Sequence, residues 1–291
     1  MSLLIVNHHY IRENKYKNGI YPKTLKDLEY NIELFHKEGY KFISQRDIIN
    51  LKRGKYVLFT FDDGLKEQMN AFKFLYKKGI PSVFYVSTYP LKEQKVLNVH
   101  KLQYIRSKIN DNTLLKFISN YVKNIRYPEN LKELYRYDNL EAKKVKYIFN
   151  FILDEKEKNK IINQIFLNLI DTNEEEFAKK LYMDKEDLMK LYKNDSLGTH
   201  THKHLPLATL DEKSIEEEII DSLEFFKNLG LDKIYSISYP YGGKKAINEK
   251  VIKISKKFFR FGLTMNRGVN CDLKDSLKLK RIDVNDIKEF I

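Results

Sequence analysis

Cysteine occurs once, as Cys271, so no internal disulfide can form and nothing in the chain calls for an oxidising compartment. No apolar run approaches the roughly 20 residues that a membrane-spanning helix needs. The opening residues, Met1 to Asn14, carry neither a basic leader nor a small-residue cleavage site. The mature chain is therefore expected to start at Met1 and to work in the cytoplasm. Missing too are any repeat of roughly 20–50 residues and any Pro- or Gly/Ser-rich linker, which argues against a solenoid and against loosely tethered modules. Acidic residues are the scarcer charge, 40 against 53 lysines and arginines. The surplus is nevertheless spread through helical segments with no run of five, so it reads as solvated faces, and no nucleic-acid partner is expected.

What is present is enough to build a core: 42% of the 291 residues are hydrophobic and 13% are aromatic. Leu3 to Asn7 is a short apolar run that ends in polar residues, as a buried strand reads, and Tyr56 to Thr60 repeats the pattern before Asp62. Helical spacing covers Thr24 to Glu38 and Glu67 to Lys78, and Pro81 to Ser87 returns to a β-branched and aromatic strand. After Ser196 the alternation resumes with a helix near Lys213 to Leu229, a strand near Tyr235 to Tyr239, a helix near Asn248 to Lys257 and a strand near Arg260 to Thr264. Strands alternating with helices predict an α/β fold with a parallel sheet or barrel.

Between these halves, residues 91 to 193 follow a different grammar. Leucine, isoleucine and phenylalanine recur at three and four residues among lysines and glutamates, and Pro128 is the only proline. This predicts a large helical insertion interrupting a single domain of residues 1–291.

Two patterns carry chemistry. Thr60-Phe61-Asp62-Asp63-Gly64 sets adjacent carboxylates at the carboxyl end of a buried strand, where α/β folds assemble their active sites. Side chains leave a strand in alternate directions, so one carboxylate can ligate a cation while its neighbour reaches a water. The same triplet alone also reads as a turn or a helix N-cap. Gly198 to His204 packs three of the seven histidines into five positions, with His200 and His204 spaced to share one face of a helical turn. Alone, that cluster also reads as exposed or core-satisfied histidines. Two imidazoles and one carboxylate leave coordination positions open, as catalytic divalent sites do. His202 is expected to point away, in support of the site or toward solvent.

TFDDG, then His200-Thr201-His202-Lys203-His204, then Tyr239-Pro240-Tyr241-Gly242 together resemble the polysaccharide deacetylase family, the NodB-homology group also grouped with carbohydrate esterase family 4. The resemblance covers roughly residues 1 to 90 and 194 to 291. It implies a distorted (β/α) barrel with one divalent ion, zinc first among zinc, cobalt, nickel, iron and manganese, held by Asp63, His200 and His204. It further implies Asp62 as the general base, a backbone N–H at Tyr241 as an oxyanion donor, and Tyr239 and Gly242 lining the substrate.

The sequence departs from the family twice. The arginine common two residues before the motif proline is Ser238 here, and Arg281 is the candidate replacement, aimed inward by a final strand; a surface arginine is the other reading. No histidine follows His204 to serve as the acid. His8-His9-Tyr10-Ile11 resembles the entry of a permuted branch in which the acid lies near the N-terminus, and that alignment selects His9. His100 and Lys101, at the start of the insertion, either meet an anionic part of the substrate or form a helix-surface pair.

The expected activity is metal-dependent removal of an N-acyl group, acetyl first, from an amino sugar, either nucleotide-linked or a cell-surface glycan precursor. O-deacetylation and deformylation use the same machinery. The competing expectation is a catalytically weak barrel that binds carbohydrate or a protein partner, suggested by the missing arginine and C-terminal histidine.

Overall fold

The computed structural model describes residues 1–13, 21–134 and 137–291. Eight strands are described: β1 (Ser2–His8), β2 (Lys41–Phe42), β3 (Lys55–Phe61), β4 (Ser82–Val86), β5 (Leu197–Thr199), β6 (Ser236–Ser238), β7 (Phe261–Arg267) and β8 (Leu279–Asp283). All their pairings are parallel. Seven of them close on themselves in the order β1-β3-β4-β5-β6-β7-β8, with β8 returning to β1. The two-residue β2 borders the lower half of β3 at Tyr56 and Val57, leaving Phe59–Phe61 free to pair with β4. The result is the expected (β/α) barrel, with helices around it.

The period of two decides what each strand offers to each side. Leu3 and Ile5 of β1 pack with Leu58, Val83, Tyr85, Leu263 and Leu279 in one apolar cluster. Leu4 and Val6 pack in the other, with Val57, Phe59, Phe35 and Leu75. The first cluster fills the barrel; the second joins its outer wall to the helices. On the same alternation, Asn7, Ser238 and Arg281 fall on the inner series of β1, β6 and β8. Asp62, one residue beyond β3, continues the series of Tyr56, Leu58 and Thr60.

The surrounding helices start where the side chains allow a cap. At Leu25–Lys37, Thr24 Oγ1 accepts from the Asp27 N–H at 3.1 Å and the Asp27 carboxylate accepts from the Thr24 N–H at 2.8 Å. Such a reciprocal box satisfies two N–H groups that a helix start leaves open. Asp211 caps Glu212–Asn228 and Asn248 caps Glu249–Ser255 by one-sided versions of the same bond.

The chain divides into two compact units. The barrel unit takes in Met1–Glu13, Pro22–Gln94 and Ala178–Ile291. The second includes Lys95–Phe177, helical among its described residues, with Leu102, Ile105, Leu114, Val145, Phe149 and Phe166 buried. Inside it Arg106 grips Asp111 through two bonds, Nε at 2.6 Å and Nη2 at 3.1 Å. The predicted insertion of 91–193 is therefore too long at its end. Residues 178–193 belong with the barrel: Met183 N–H donates to the Gly64 carbonyl at 3.0 Å, and Leu188 and Leu191 join the outer core. A helix packed on a barrel and a helix in an insertion show the same periodicity, so spacing alone cannot mark the border.

Gly198 tests the inner packing. A Cβ there would stand 2.4 Å from Tyr85 Cε1, inside the barrel. Gly198→Ala should destabilise the fold by about 1–3 kcal/mol through overpacking. Urea unfolding at neutral pH measures it, and an unchanged midpoint would contradict the packing.

Candidate active site

The adjacent aspartates diverge as strand geometry requires. Asp62 keeps the inward direction, and both its oxygens meet Arg281: Nη1 donates to Oδ1 at 2.9 Å and Nη2 lies 2.8 Å from Oδ2. Burial raises the Asp62 carboxyl, but the two-pronged Arg281 guanidinium outweighs it and holds the group below its ordinary value. An ionised carboxylate inside the barrel is a proton acceptor at neutral pH. Asp63 leaves β3 through a left-handed turn at φ +84° and aims elsewhere.

Its direction is toward the histidine loop. His200 Nε2 is 3.5 Å and His204 Nε2 is 3.4 Å from Asp63 Oδ1, with all three groups buried. The two imidazoles were expected on one face of a helical turn, but residues 200–206 form no helix. Thr201 and His204 adopt left-handed φ values of +62° and +58°, and the loop turns back so that the two rings stand 4.7 Å apart. Loop curvature gives the convergence that spacing alone had suggested.

The nitrogen His200 presents is fixed by its other one. Nδ1 donates to the Ser238 carbonyl at 2.6 Å, which leaves the Nε2 lone pair directed at Asp63. Burial is the main influence on this imidazole and lowers it to about 4, so it is neutral at physiological pH. Around an ion bonded tetrahedrally at about 2.0–2.2 Å, neighbouring ligand atoms stand roughly 3.3–3.6 Å apart. The separations from Asp63 match that edge, and a neutral imidazole with a free lone pair is the ligand form. These residues fit a divalent cation, while His204 Nδ1 is buried without a hydrogen-bond partner among the described residues.

Residues 50–259 match the model of the polysaccharide deacetylases. The chain belongs to the polysaccharide deacetylase family. No curated protein matches its sequence. Three solved structures of like fold are a Streptococcus pyogenes deacetylase, PplD, in complex with acetate, IcaB from Ammonifex degensii, and a de-N-acetylase from Aggregatibacter actinomycetemcomitans. The first shares 17% identity over 97% of this chain and 92% of its own, with a TM-score of 0.55. IcaB shares 15% over 99% and 94%, at 0.60. The third shares 13% over the whole of both chains, also at 0.60. At such identities these likenesses speak for the fold alone.

The deacetylase barrel separates the neighbouring histidines of β1. His8 is turned into the wall, its ring stacked 4.6 Å from Phe61 and its Nδ1 3.1 Å from the Thr60 carbonyl. Burial is the main influence and takes it down to about 4. His9 follows one residue beyond β1 and is half-buried. Gln68 Nε2 bonds the His9 carbonyl at 2.8 Å and the Asp62 carbonyl at 2.5 Å, tying the ends of β1 and β3 together.

Tyr241 has a left-handed backbone, φ +62°, and its ring lies edgewise 4.9 Å from His204. The Tyr239 ring is fully buried in the outer core against Gly262, so its side chain is packing material and does not line an open surface. Gly242, at φ +58°, has no room for a Cβ, which would stand 2.6 Å from Met265 N; it shapes the turn. His202, expected in support or facing solvent, is buried with Nδ1 2.9 Å from Thr88 Oγ1. In the helical unit His100 is buried, and Lys101 Nζ is engaged by Glu174 at 2.6 Å and Asn163 at 2.7 Å.

Two contributors had no signal of their own. Asn7 Oδ1 accepts from Arg281 Nη1 at 3.0 Å, and Ser238 Oγ accepts from Nη2 at 2.9 Å. Ser238 had read only as a missing arginine. The inward parity of Leu3, Ile5 and Asn7 was the available clue to the first.

Arg281→Met would leave Asp62 buried without its counter-charge and should cost about 3–5 kcal/mol of stability. Arg281→Lys should recover only part, since an ammonium cannot reproduce the fork; equal stability of Lys and Arg forms would contradict this geometry. A second expectation follows from the lowered His8. Its folded value lies below its unfolded one, so the unfolded chain binds more protons between pH ~6.5 and ~4, and stability falls as pH falls through that window. His8→Phe keeps a ring against Phe61 and removes this proton. Relative to wild type it should gain up to about 1.4 kcal/mol per pH unit on acidification through the window. Parallel unfolding curves for the two proteins would contradict the burial of a neutral His8.

Proposed function

We propose that this deacetylase hydrolyses the N-acetyl group of an amino sugar and depends on one divalent cation, zinc first, held by Asp63, His200 and His204. The observation that carries the reading is the tetrahedral-edge spacing of Asp63 Oδ1 to the two imidazole nitrogens, beside a carboxylate kept ionised by Arg281. A bound divalent cation supplies Lewis acidity to the amide carbonyl and makes water more acidic.

The chain's own residues do the rest. Asp62 accepts the proton of the attacking water, and Arg281 keeps its carboxylate in place and charged. His9 gives a proton to the departing nitrogen; its half-buried position just past β1 and the Gln68 bridge between its carbonyl and that of Asp62 support that assignment. The Tyr241 N–H serves as a donor to the developing oxyanion, an interaction worth about 3–4 kcal/mol where single donors have been removed. One amide and one water become a free amine and acetate. The de-N-acetylase of like fold supports acetyl over formyl. The substrate forms to compare are a nucleotide-linked N-acetylhexosamine, a short N-acetylglucosamine oligomer, and their N-formyl counterparts.

Amine release from these substrates should vanish on chelation and return with zinc or cobalt. Asp62→Asn should lose nearly all turnover with metal content unchanged. His9→Ala should lower turnover by on the order of 10²–10⁴, the range of general acid–base catalysis, and His8→Phe much less. Activity that survives complete metal removal would sink metal dependence. Equal losses at His8 and His9 would leave His9 without its role.

A further inference from the structure

The histidine loop is held from behind by a carboxyl group that the proposed reaction does not use. Glu218 lies in the middle of Glu212–Asn228 and is 5% exposed. Its Oε2 accepts from the Lys203 N–H at 2.8 Å. One helical turn on, on the same face, buried Ser222 Oγ meets Thr199 Oγ1 at 2.5 Å. Thr199 Oγ1 also accepts from the Thr201 N–H at 3.1 Å. Thr199 immediately precedes His200, and Lys203 immediately precedes His204. The helix thus holds the residue immediately ahead of each histidine, Thr199 by its hydroxyl and Lys203 by its backbone N–H.

A buried carboxyl answered by a backbone amide is a costly way to fill space, since a leucine of similar size would pack without desolvating an acid. Burial pushes Glu218 up to about 7, against the Lys203 bond. The Lys203 amide leads into His204, whose left-handed φ of +58° is strained for a residue with a side chain. Without an acceptor there, the loop could relax to an ordinary conformation, and His204 Nε2 would leave its place 3.4 Å from Asp63 Oδ1.

We infer that Glu218 is a positioning residue of the metal site: its carboxyl oxygen accepts the Lys203 N–H and holds His204 in ligand geometry. This rests on the metal reading proposed above. Either form of the carboxyl offers an oxygen acceptor, so an amide should replace it.

The test uses the full chain stripped of metal and titrated with Co²⁺ alone against a competing chelator, with the visible ligand-field bands recorded. Glu218→Leu should weaken Co²⁺ binding about 10–100-fold, the cost usual for outer partners of metal ligands, and alter the band intensities; Glu218→Gln should stay within about threefold of wild type. Glu218→Leu binding as tightly as wild type, with the same bands, would overturn the inference. So would equal weakening in the Gln and Leu variants, which would show that the charge and not the acceptor matters. Wild type that binds no Co²⁺ would instead overturn the metal reading itself. Should the Leu variant fail to fold, amide exchange in metal-free wild type decides: the Lys203 N–H should be strongly protected, and exchange at the rate of an open loop would overturn the proposal.

Discussion

The five N–H donors of Arg281 are the joint around which the top of the barrel is arranged. Nε bonds the Thr264 carbonyl, Nη1 bonds Asn7 and Asp62, and Nη2 bonds Ser238 and Asp62. These partners come from β1, β6, β7 and the residue after β3, so one guanidinium on β8 links five strands of the ring. With Arg281 1% exposed and Asp62 2%, the pair has left water. A buried ion pair rarely adds net stability over an apolar filling, because desolvation offsets the attraction. Its value here is chemical: it keeps a carboxylate charged in the interior and gives it one orientation.

Ser238 shows why that joint was only half legible. In sequence it stands as a loss, the family's arginine replaced by a small hydroxyl. In space the small side chain leaves room for a guanidinium arriving from β8, and its oxygen accepts one of the bonds. Its main-chain carbonyl meanwhile sets the tautomer of His200. Arg281 was reachable by reasoning because strands have parity and a barrel makes its last strand a neighbour of its first. Asn7, on the same parity, was equally reachable but carried no chemical motif to draw attention to it.

The barrel itself was legible because β1, β3 and β4 are apolar runs bounded by polar residues and the helices that follow them keep helical spacing. The two-residue β2 has no periodicity to detect, and the end of the insertion is invisible for the reason that Lys185–Lys193 illustrates: a helix that buries Leu188 and Leu191 against the barrel looks like any other amphipathic helix. The histidine spacing pointed to two imidazoles that do converge, but for an incorrect local reason. Positions i and i+4 meet on a helix, but here they meet because Thr201 and His204 turn left-handed.

That difference bears on how the site works. Of the seven non-glycine residues with positive φ among those described, four, Asp63, Thr201, His204 and Tyr241, belong to the segments that carry the candidate chemistry. Each left-handed backbone costs on the order of 1–3 kcal/mol and persists only where its surroundings over-determine it. The surroundings here are specific: the barrel end below, Gln68 joining the tails of β1 and β3, and Glu218 and Ser222 behind the histidine loop. A helix-borne pair of ligands would have needed no such support, but it would also have shifted with the helix. Histidines on a strained loop pinned from several sides are placed by the barrel, in the same frame that Arg281 gives to Asp62. The buried carboxylate of Asp62 and the candidate ligand set of Asp63, His200 and His204 therefore share one rigid reference, the end of the barrel.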